Sequence, residues 1–193
     1  MASLVVLGLA ALATAAPPPT TSDGFKLQIQ VTDLSQDYTP PIHSKYVVGV
    51  HIGAGMDMVT PALHDEFSLF HTNGTYADLW AARGTIVAGF GPYAQAWRNV
   101  RSPDDANLSG SILQYGPGTE GVRVIFDRGD LMLGPGQYMV CDRKLPYGLS
   151  VEMTTAALPE ACIAVTLLPV CADLNDSTDR EGQTVSPTRC KKN

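Results

Sequence analysis

The sequence predicts an all-β protein, a β-sandwich or jelly-roll-like fold of about ten short antiparallel strands. Short apolar or alternating runs recur along most of the chain, and clusters of glycine, proline, asparagine and aspartate separate them. No helical period extends beyond one or two turns. With 193 residues and 45% hydrophobic content, the chain suits one domain with a single core.

The N-terminus has the pattern of an export signal. Leu4–Ala13 is almost entirely apolar but too short to cross a bilayer, and Ala13 and Ala15 form a typical cleavage site. We therefore interpret residues 1–15 as a signal peptide and residues 16–24 as a Pro/Thr-rich lead-in. No other stretch reaches about 18 apolar residues, so we expect no membrane association of the mature chain.

The first strands are predicted from periodicity. Apolar and polar residues alternate from Phe25 to Val31, which places every second residue on a buried face. Tyr46–Ile52 is more continuously apolar and ends at the turn Gly53-Ala54-Gly55. Pro61–Glu66 is the one helical candidate, and its length limits it to a single turn.

Asn73-Gly74 carries the strongest hairpin signal, because this dipeptide accepts the positive φ angles of a type I′ turn. Strands are predicted on both sides of it, over Phe67–His71 and Thr75–Leu79. Turn residues separate seven further predicted strands: Thr85–Phe90, Ala94–Val100, Ser111–Tyr115, Val122–Asp127, Gln137–Cys141, Leu149–Met153 and Cys162–Leu168. One β-sandwich domain is expected over residues 25–171, followed by an irregular polar tail over 172–193.

Four cysteines lie in the last third of the chain, and their even number fits two disulfides in an exported protein. Three connectivities are possible. We favour Cys141 with Cys162, which would join two predicted strands, and Cys171 with Cys190, which would hold the tail. A zinc site is the alternative, but the chain has no C-x-x-C pair and no histidine near these cysteines.

Three Asn-x-Ser/Thr triplets fit the same compartment. They begin at Asn73, Asn107 and Asn175, and we expect them to lie in surface loops and to be candidate glycosylation sites.

The sequence contains no recognised catalytic or metal-binding motif. The four histidines form no H-E-x-x-H motif, and the cluster His64-Asp65-Glu66 spreads its side chains around any regular element. Asp127, Asp130 and Glu152 are the candidate carboxylates for glycosidase-type chemistry. The more common role of such residues is to keep the protein surface hydrated. We therefore expect no catalytic residues, no metal and no cofactor.

Aromatic side chains offer another route to function, because exposed tryptophan and tyrosine rings can stack on sugar rings. Trp80 and Trp97 are the candidate stacking residues, with core packing as the commoner alternative. Tyrosines that could assist them are Tyr93, Tyr115, Tyr138 and Tyr147. The net charge of −6 argues against nucleic acid as a partner and gives no attraction to anionic membranes.

Several segments together resemble a family of small secreted fungal proteins of unknown function. They are residues 46–57, Asn73-Gly74-Thr75, Val140-Cys141-Asp142, residues 159–165 and Pro169-Val170-Cys171. The layout is also distantly similar to the fungal cell-wall protein PhiA, with an exported β-rich body and a cysteine-bearing C-terminal end. The resemblance implies export and residence in the cell wall or medium, and it brings no catalytic residues.

These observations favour a secreted non-catalytic fungal protein of unknown function, located in the cell wall or medium, with cell-wall polysaccharide or a host protein as the candidate partner. Two alternatives remain at this point: an effector-like protein that binds a host protein, and a carbohydrate-active enzyme whose carboxylates are distant in sequence.

Overall fold

The computed structural model describes residues 20–127, 129–143, 148–174 and 183–192. The predicted signal peptide, Asn175 and Tyr147 lie outside these residues. Fifteen strands occur in the described part of the chain: β1 Thr20–Ser22, β2 Gly24–Val31, β3 Val47–Gly53, β4 Met56–Pro61, β5 Phe70–Asn73, β6 Thr85–Ala88, β7 Gln95–Arg101, β8 Leu108–Gln114, β9 Arg123–Asp127, β10 Asp130–Gly134, β11 Gln137–Asp142, β12 Leu149–Thr154, β13 Cys162–Ala172, β14 Val185–Ser186 and β15 Thr188–Cys190. The same residues contain one α-helix, α1 Tyr76–Trp80, and short 3₁₀ turns at Leu34–Gln36 and Gly91–Tyr93.

The all-β class is confirmed, and the strand pairing is that of an antiparallel β-sandwich. Neighbouring strands follow the order β12-β11-β13-β2-β5-β6-β7-β8-β4-β3, with β14 beside β5. The longest ladder joins β2 to β13, from Gly24 opposite Ala172 to Val31 opposite Val165. Because the first half of β8 also pairs with β12, the path of strands closes on itself around the core.

The core confirms the alternation predicted for the first long strand. Phe25, Leu27 and Ile29 are fully buried, while the polar residues between them are only partly buried. Aromatic rings continue from Phe25 through the core at centroid spacings of 6.0–6.1 Å. That series is Phe25, Phe70, Trp97 and Tyr138.

Both disulfides have the favoured pairing. Cys141 on β11 lies directly opposite Cys162 on β13 and is bonded to it. Cys171, near the end of β13, is bonded to Cys190 on β15. The structure describes no free cysteine, so the sulfur atoms are committed to these two links.

The predicted hairpin at Asn73-Gly74 is wrong. Asn73 ends β5 and pairs with Thr85 on β6, and α1 lies in the connection between these strands. The cause is a capping box, in which Thr75 and Asp78 satisfy each other's backbone N–H groups and start a helix. The expected strand over Thr75–Leu79 is therefore helical.

Three further expectations are corrected. Pro61 ends β4, and residues 63–65 form bends instead of the expected helical turn. The tail is not irregular where it is described, because β14 pairs with β5 and β15 pairs with β1. The lead-in over residues 16–24 consequently contains the strand β1 and the first residue of β2.

Candidate functional site

Helix α1 holds the two exposed aromatic side chains that form the candidate site. Its start is fixed because Thr75 Oγ1 accepts from the backbone N–H of Asp78 at 3.2 Å, and Asp78 Oδ2 accepts from the backbone N–H of Thr75 at 3.0 Å. Arg83, beyond the end of the helix, donates to Asp78 Oδ1 at 3.2 Å. A five-residue helix is marginal in isolation, so these contacts are what keep it in place.

Tyr76 and Trp80 lie four residues apart on α1 and are therefore neighbours on one helix face. Their ring centroids are 6.0 Å apart and the rings are inclined at 69° in an edge-to-face contact. Tyr76 is 74% exposed and Trp80 is 75% exposed. We call these two residues the aromatic pair.

The hydrogen bond from the Thr75 hydroxyl, with the Thr75 backbone N–H and Arg83, lowers the pKa of Asp78. A carboxyl group whose folded pKa is lowered contributes its stabilisation above the unfolded pKa, about 3.9 for aspartate, and loses it as the pH falls through the folded value. We expect α1 to loosen on acidification below about pH 3.9, as Asp78 becomes protonated. Two-dimensional NMR would show the indole signal of Trp80 shifting in this range. An unchanged Trp80 signal down to pH 2 would contradict the role of the capping box.

Trp97 is not available for stacking. It is fully buried between Phe70 and Tyr138, and its Nε1 donates to Asn99 Oδ1 at 2.9 Å. Tyr138 is also buried, and this burial raises the pKa of its phenol. Both side chains belong to the core, so of the two predicted tryptophans only Trp80 can contact a ligand from solvent.

A small cleft lies at the same end of β5 as α1. Its volume is about 320 Å³, at the lower limit for small-molecule sites. Two amide side chains, Asn73 and Gln183, and the half-exposed ring of Tyr115 line it, and its other lining residues are small or apolar: Val87, Gly91, Pro92, Ala94, Ala96 and Gly116. We call this the Asn73 cleft.

The described glycosylation triplets have different surroundings. Asn107 is exposed in a turn before β8, where its backbone N–H donates to Asp105 Oδ1. Asn73 is partly buried in β5, between β6 and β14. The expectation of a loop position therefore holds for Asn107 but not for Asn73.

The predicted carboxylates do not form one cluster. Asp127 and Asp130 lie opposite each other in the β9–β10 hairpin. Glu152 is buried on β12, where it accepts from Arg143 and from Ser150 Oγ. This ion pair raises the pKa of Arg143, mainly through the hydrogen bond to Glu152. Removal of one partner of a buried ion pair leaves an uncompensated charge and is destabilising, so these contacts give Glu152 a structural role.

The histidines are likewise dispersed. His43 Nδ1 accepts from the backbone N–H of Val31, His51 pairs with Asp57 at 3.1 Å, and His71 is buried with its ring stacked on Phe90. Among the described residues, no three His, Cys, Asp or Glu side chains gather as metal ligands. No helix within the described ranges is long and apolar enough to cross a membrane.

Sequence reasoning missed Tyr76 as the partner of Trp80. The signal was present in Thr75-Tyr76-Ala77-Asp78, because a threonine followed three residues later by an acidic residue is typical of a helix start. A helix beginning there places residues 76 and 80 on one face.

Comparison with known proteins supports the resemblance noted in the sequence. Residues 22–171 match the family model DUF7907, described as a domain of unknown function. A relative from the fungus Stachybotrys chartarum, antigenic protein SchS34, is 32% identical over 180 residues, covering 83% of this chain and 80% of its own. No solved structure matches the chain.

Proposed function

The chain belongs to the DUF7907 family, and on that basis we propose that it is an exported, non-catalytic fungal protein that binds cell-wall polysaccharide through the aromatic pair. The observation that carries this proposal is the combination of high exposure and fixed geometry at Tyr76 and Trp80.

Export is supported by the chemistry of the cysteines. Two disulfides occur in a chain of this size, and such bonds form and persist in oxidising compartments. The relative's description as antigenic fits a protein that immune systems encounter outside the fungal cell. The signal-peptide pattern of residues 1–15 agrees with this location.

Polysaccharide binding is supported by the exposure of the aromatic pair, because two large rings in water contribute little to folding. A buried aromatic ring contributes strongly to folding, whereas both rings of the aromatic pair remain in water. Sugar rings present flat faces of C–H groups, and an aromatic platform can cover such faces without a deep pocket. Fixing the rings before binding also reduces the ordering entropy that association must overcome.

The structural role of Glu152 supports the non-catalytic part of the proposal. Of the carboxylates that the sequence suggested, Glu152 is held by Arg143 and Ser150 within the sheet, away from solvent. General acid catalysis would require a carboxyl group that faces a substrate.

We expect Trp80→Ala to lower retention on insoluble β-glucan or chitin at least about tenfold, corresponding to loss of about 1.4 kcal/mol of binding energy. The measurement is co-sedimentation of the secreted protein with each polysaccharide and with intact fungal walls. Phe126→Ala is the matched control, because Phe126 is also an exposed aromatic residue but lies on β9.

Equal retention of wild type and Trp80→Ala would overturn the role of the aromatic pair. Absence of retention for the wild type on every polysaccharide would overturn polysaccharide binding and favour a protein partner instead. Release of reducing sugar during the incubation would contradict the non-catalytic assignment.

A further inference from the structure

Asn73 combines a modification signal with an unusual position. It begins the triplet Asn73-Gly74-Thr75, the acceptor sequence for N-glycosylation, and it also lines the Asn73 cleft. Most acceptor asparagines project from loops, whereas Asn73 is a strand residue paired on both sides.

The amide group of Asn73 has a fixed orientation. Its Oδ1 accepts from the backbone N–H of Thr184 at 2.8 Å, and a backbone N–H can only donate. Its Nδ2, the atom that bears the sugar in a glycoprotein, makes no hydrogen bond to any described residue. Hydrogen bonding within the described residues therefore leaves Nδ2 available to carry a substituent.

The lining of the cleft suits one sugar ring. Small residues such as Gly91, Ala94 and Gly116 leave the space open, and the ring of Tyr115 provides a wall against which a pyranose can stack. Gln183 Oε1 is buried and has no hydrogen-bond partner among the described residues. An unsatisfied buried acceptor of this kind is unfavourable, and a sugar hydroxyl or N-acetyl N–H would satisfy it.

We propose that Asn73 carries an N-linked glycan whose first N-acetylglucosamine lies in the Asn73 cleft, against Tyr115 and hydrogen-bonded to Gln183. The sugar comes from a lipid-linked diphospho-oligosaccharide. The bond from sugar C1 to the diphosphate oxygen breaks, the bond from C1 to Asn73 Nδ2 forms, and Nδ2 loses one proton as the lipid diphosphate leaves.

The order of synthesis allows this modification despite the partial burial of Asn73. Thr184, which holds the amide, follows 111 residues later in the chain, and β14 pairs with β5 only after that segment has been made. The triplet is therefore not yet covered by β14 when the growing chain enters the secretory pathway, and the glycan becomes enclosed when β14 pairs with β5.

Asn107 provides a matched control within the same chain. It begins an acceptor triplet of the same type but lies exposed in a turn, outside the set of residues that line the cleft. A glycan at Asn107 would extend into solvent and would contribute little to folding.

The test uses the full chain, expressed in a yeast behind the leader of a secreted host protein, so that entry into the secretory pathway does not depend on residues 1–15. This inference rests on the export part of the proposed function and not on polysaccharide binding. Secretion with the chain's own leader is measured separately, so failure of export and failure of this inference are distinguishable.

Peptide mass spectrometry is expected to find Asn73 occupied. An endoglycosidase that leaves one N-acetylglucosamine should not change the melting temperature, whereas amidase removal of the whole glycan, which converts Asn73 to aspartate, should lower it by about 2–4 °C. Asn73→Gln should give the same loss, and Asn107→Gln a change below about 1 °C. If Asn73→Gln fails to fold, the two enzymatic treatments of the wild type decide the matter.

Two results would overturn the inference. One is an unmodified Asn73 in protein recovered from the medium. The other is equal melting temperatures for the fully deglycosylated protein and the protein that keeps one sugar, because a sugar enclosed in the cleft must stabilise the fold by its contacts.

Discussion

Replacing Trp97 with alanine is expected to lower the free energy of unfolding by about 3–5 kcal/mol. Trp97 is fully buried, contacts Phe70 and Tyr138 edge to face, and donates to Asn99. Its removal leaves a large cavity in the middle of the core and leaves the Asn99 carbonyl short of one donor. Urea unfolding followed by far-UV circular dichroism measures the effect.

Trp80→Ala is the comparison for this experiment. Trp80 is 75% exposed, and we expect its removal to change the free energy of unfolding by no more than about 0.5 kcal/mol. Similar decreases in the free energy of unfolding for the two variants would contradict the assignment of Trp97 to the core and of Trp80 to the surface.

The second large effect is expected from the double replacement Cys171→Ser with Cys190→Ser, which should lower the free energy of unfolding by about 3 kcal/mol. The bond closes a loop with a sequence separation of 19 and holds β15, and with it β1, against the end of β13. Thermal unfolding gives the stability, and limited proteolysis reports whether the C-terminal segment has detached.

We expect the double variant to be cleaved near residues 183–190 at protease concentrations that leave the wild type intact. Wild-type stability together with unchanged cleavage would show that β14 and β15 are held by strand pairing alone. The Cys141–Cys162 bond serves as an internal reference, because it remains in the double variant.

The sequence predicted those strands in which the alternation of apolar and polar residues marks a buried and an exposed face. The alternation from Phe25 to Val31 follows directly from the pleat of a strand with one buried face, and these apolar residues are buried. The favoured cysteine pairs were also correct, since one pair was assigned to two predicted strands and these are neighbours in the sheet.

Strands that depend on distant partners were not predicted. β4 ends with Thr60 and Pro61, which are buried, and Thr60 Oγ1 donates to the carbonyl of Leu149. In the tail, Thr188 is buried against Thr72, and their hydroxyl oxygens are 2.7 Å apart. Periodicity cannot reveal such segments, because polar residues become buried only where a partner from elsewhere in the chain satisfies them.

Of the two predicted stacking residues, Trp80 is exposed and Trp97 is buried, and the sequence could not distinguish them for a similar reason. Trp80 and Trp97 are equivalent by residue type. Which of them is exposed and which is buried depends on tertiary structure. Strand register places Trp97 opposite Leu113 in the core. The capping box places Trp80 on a helix at the surface, where Tyr76 accompanies it.

The most direct test of polysaccharide binding by the aromatic pair is an NMR titration of the secreted protein with soluble β-glucan and chitin oligosaccharides. The chain has two tryptophans, so the indole region contains one exposed and one buried reporter. We predict that the Trp80 indole signal shifts with saturation while the Trp97 signal stays in place. Two stationary signals, or a shift of Trp97 without Trp80, would contradict the proposed site.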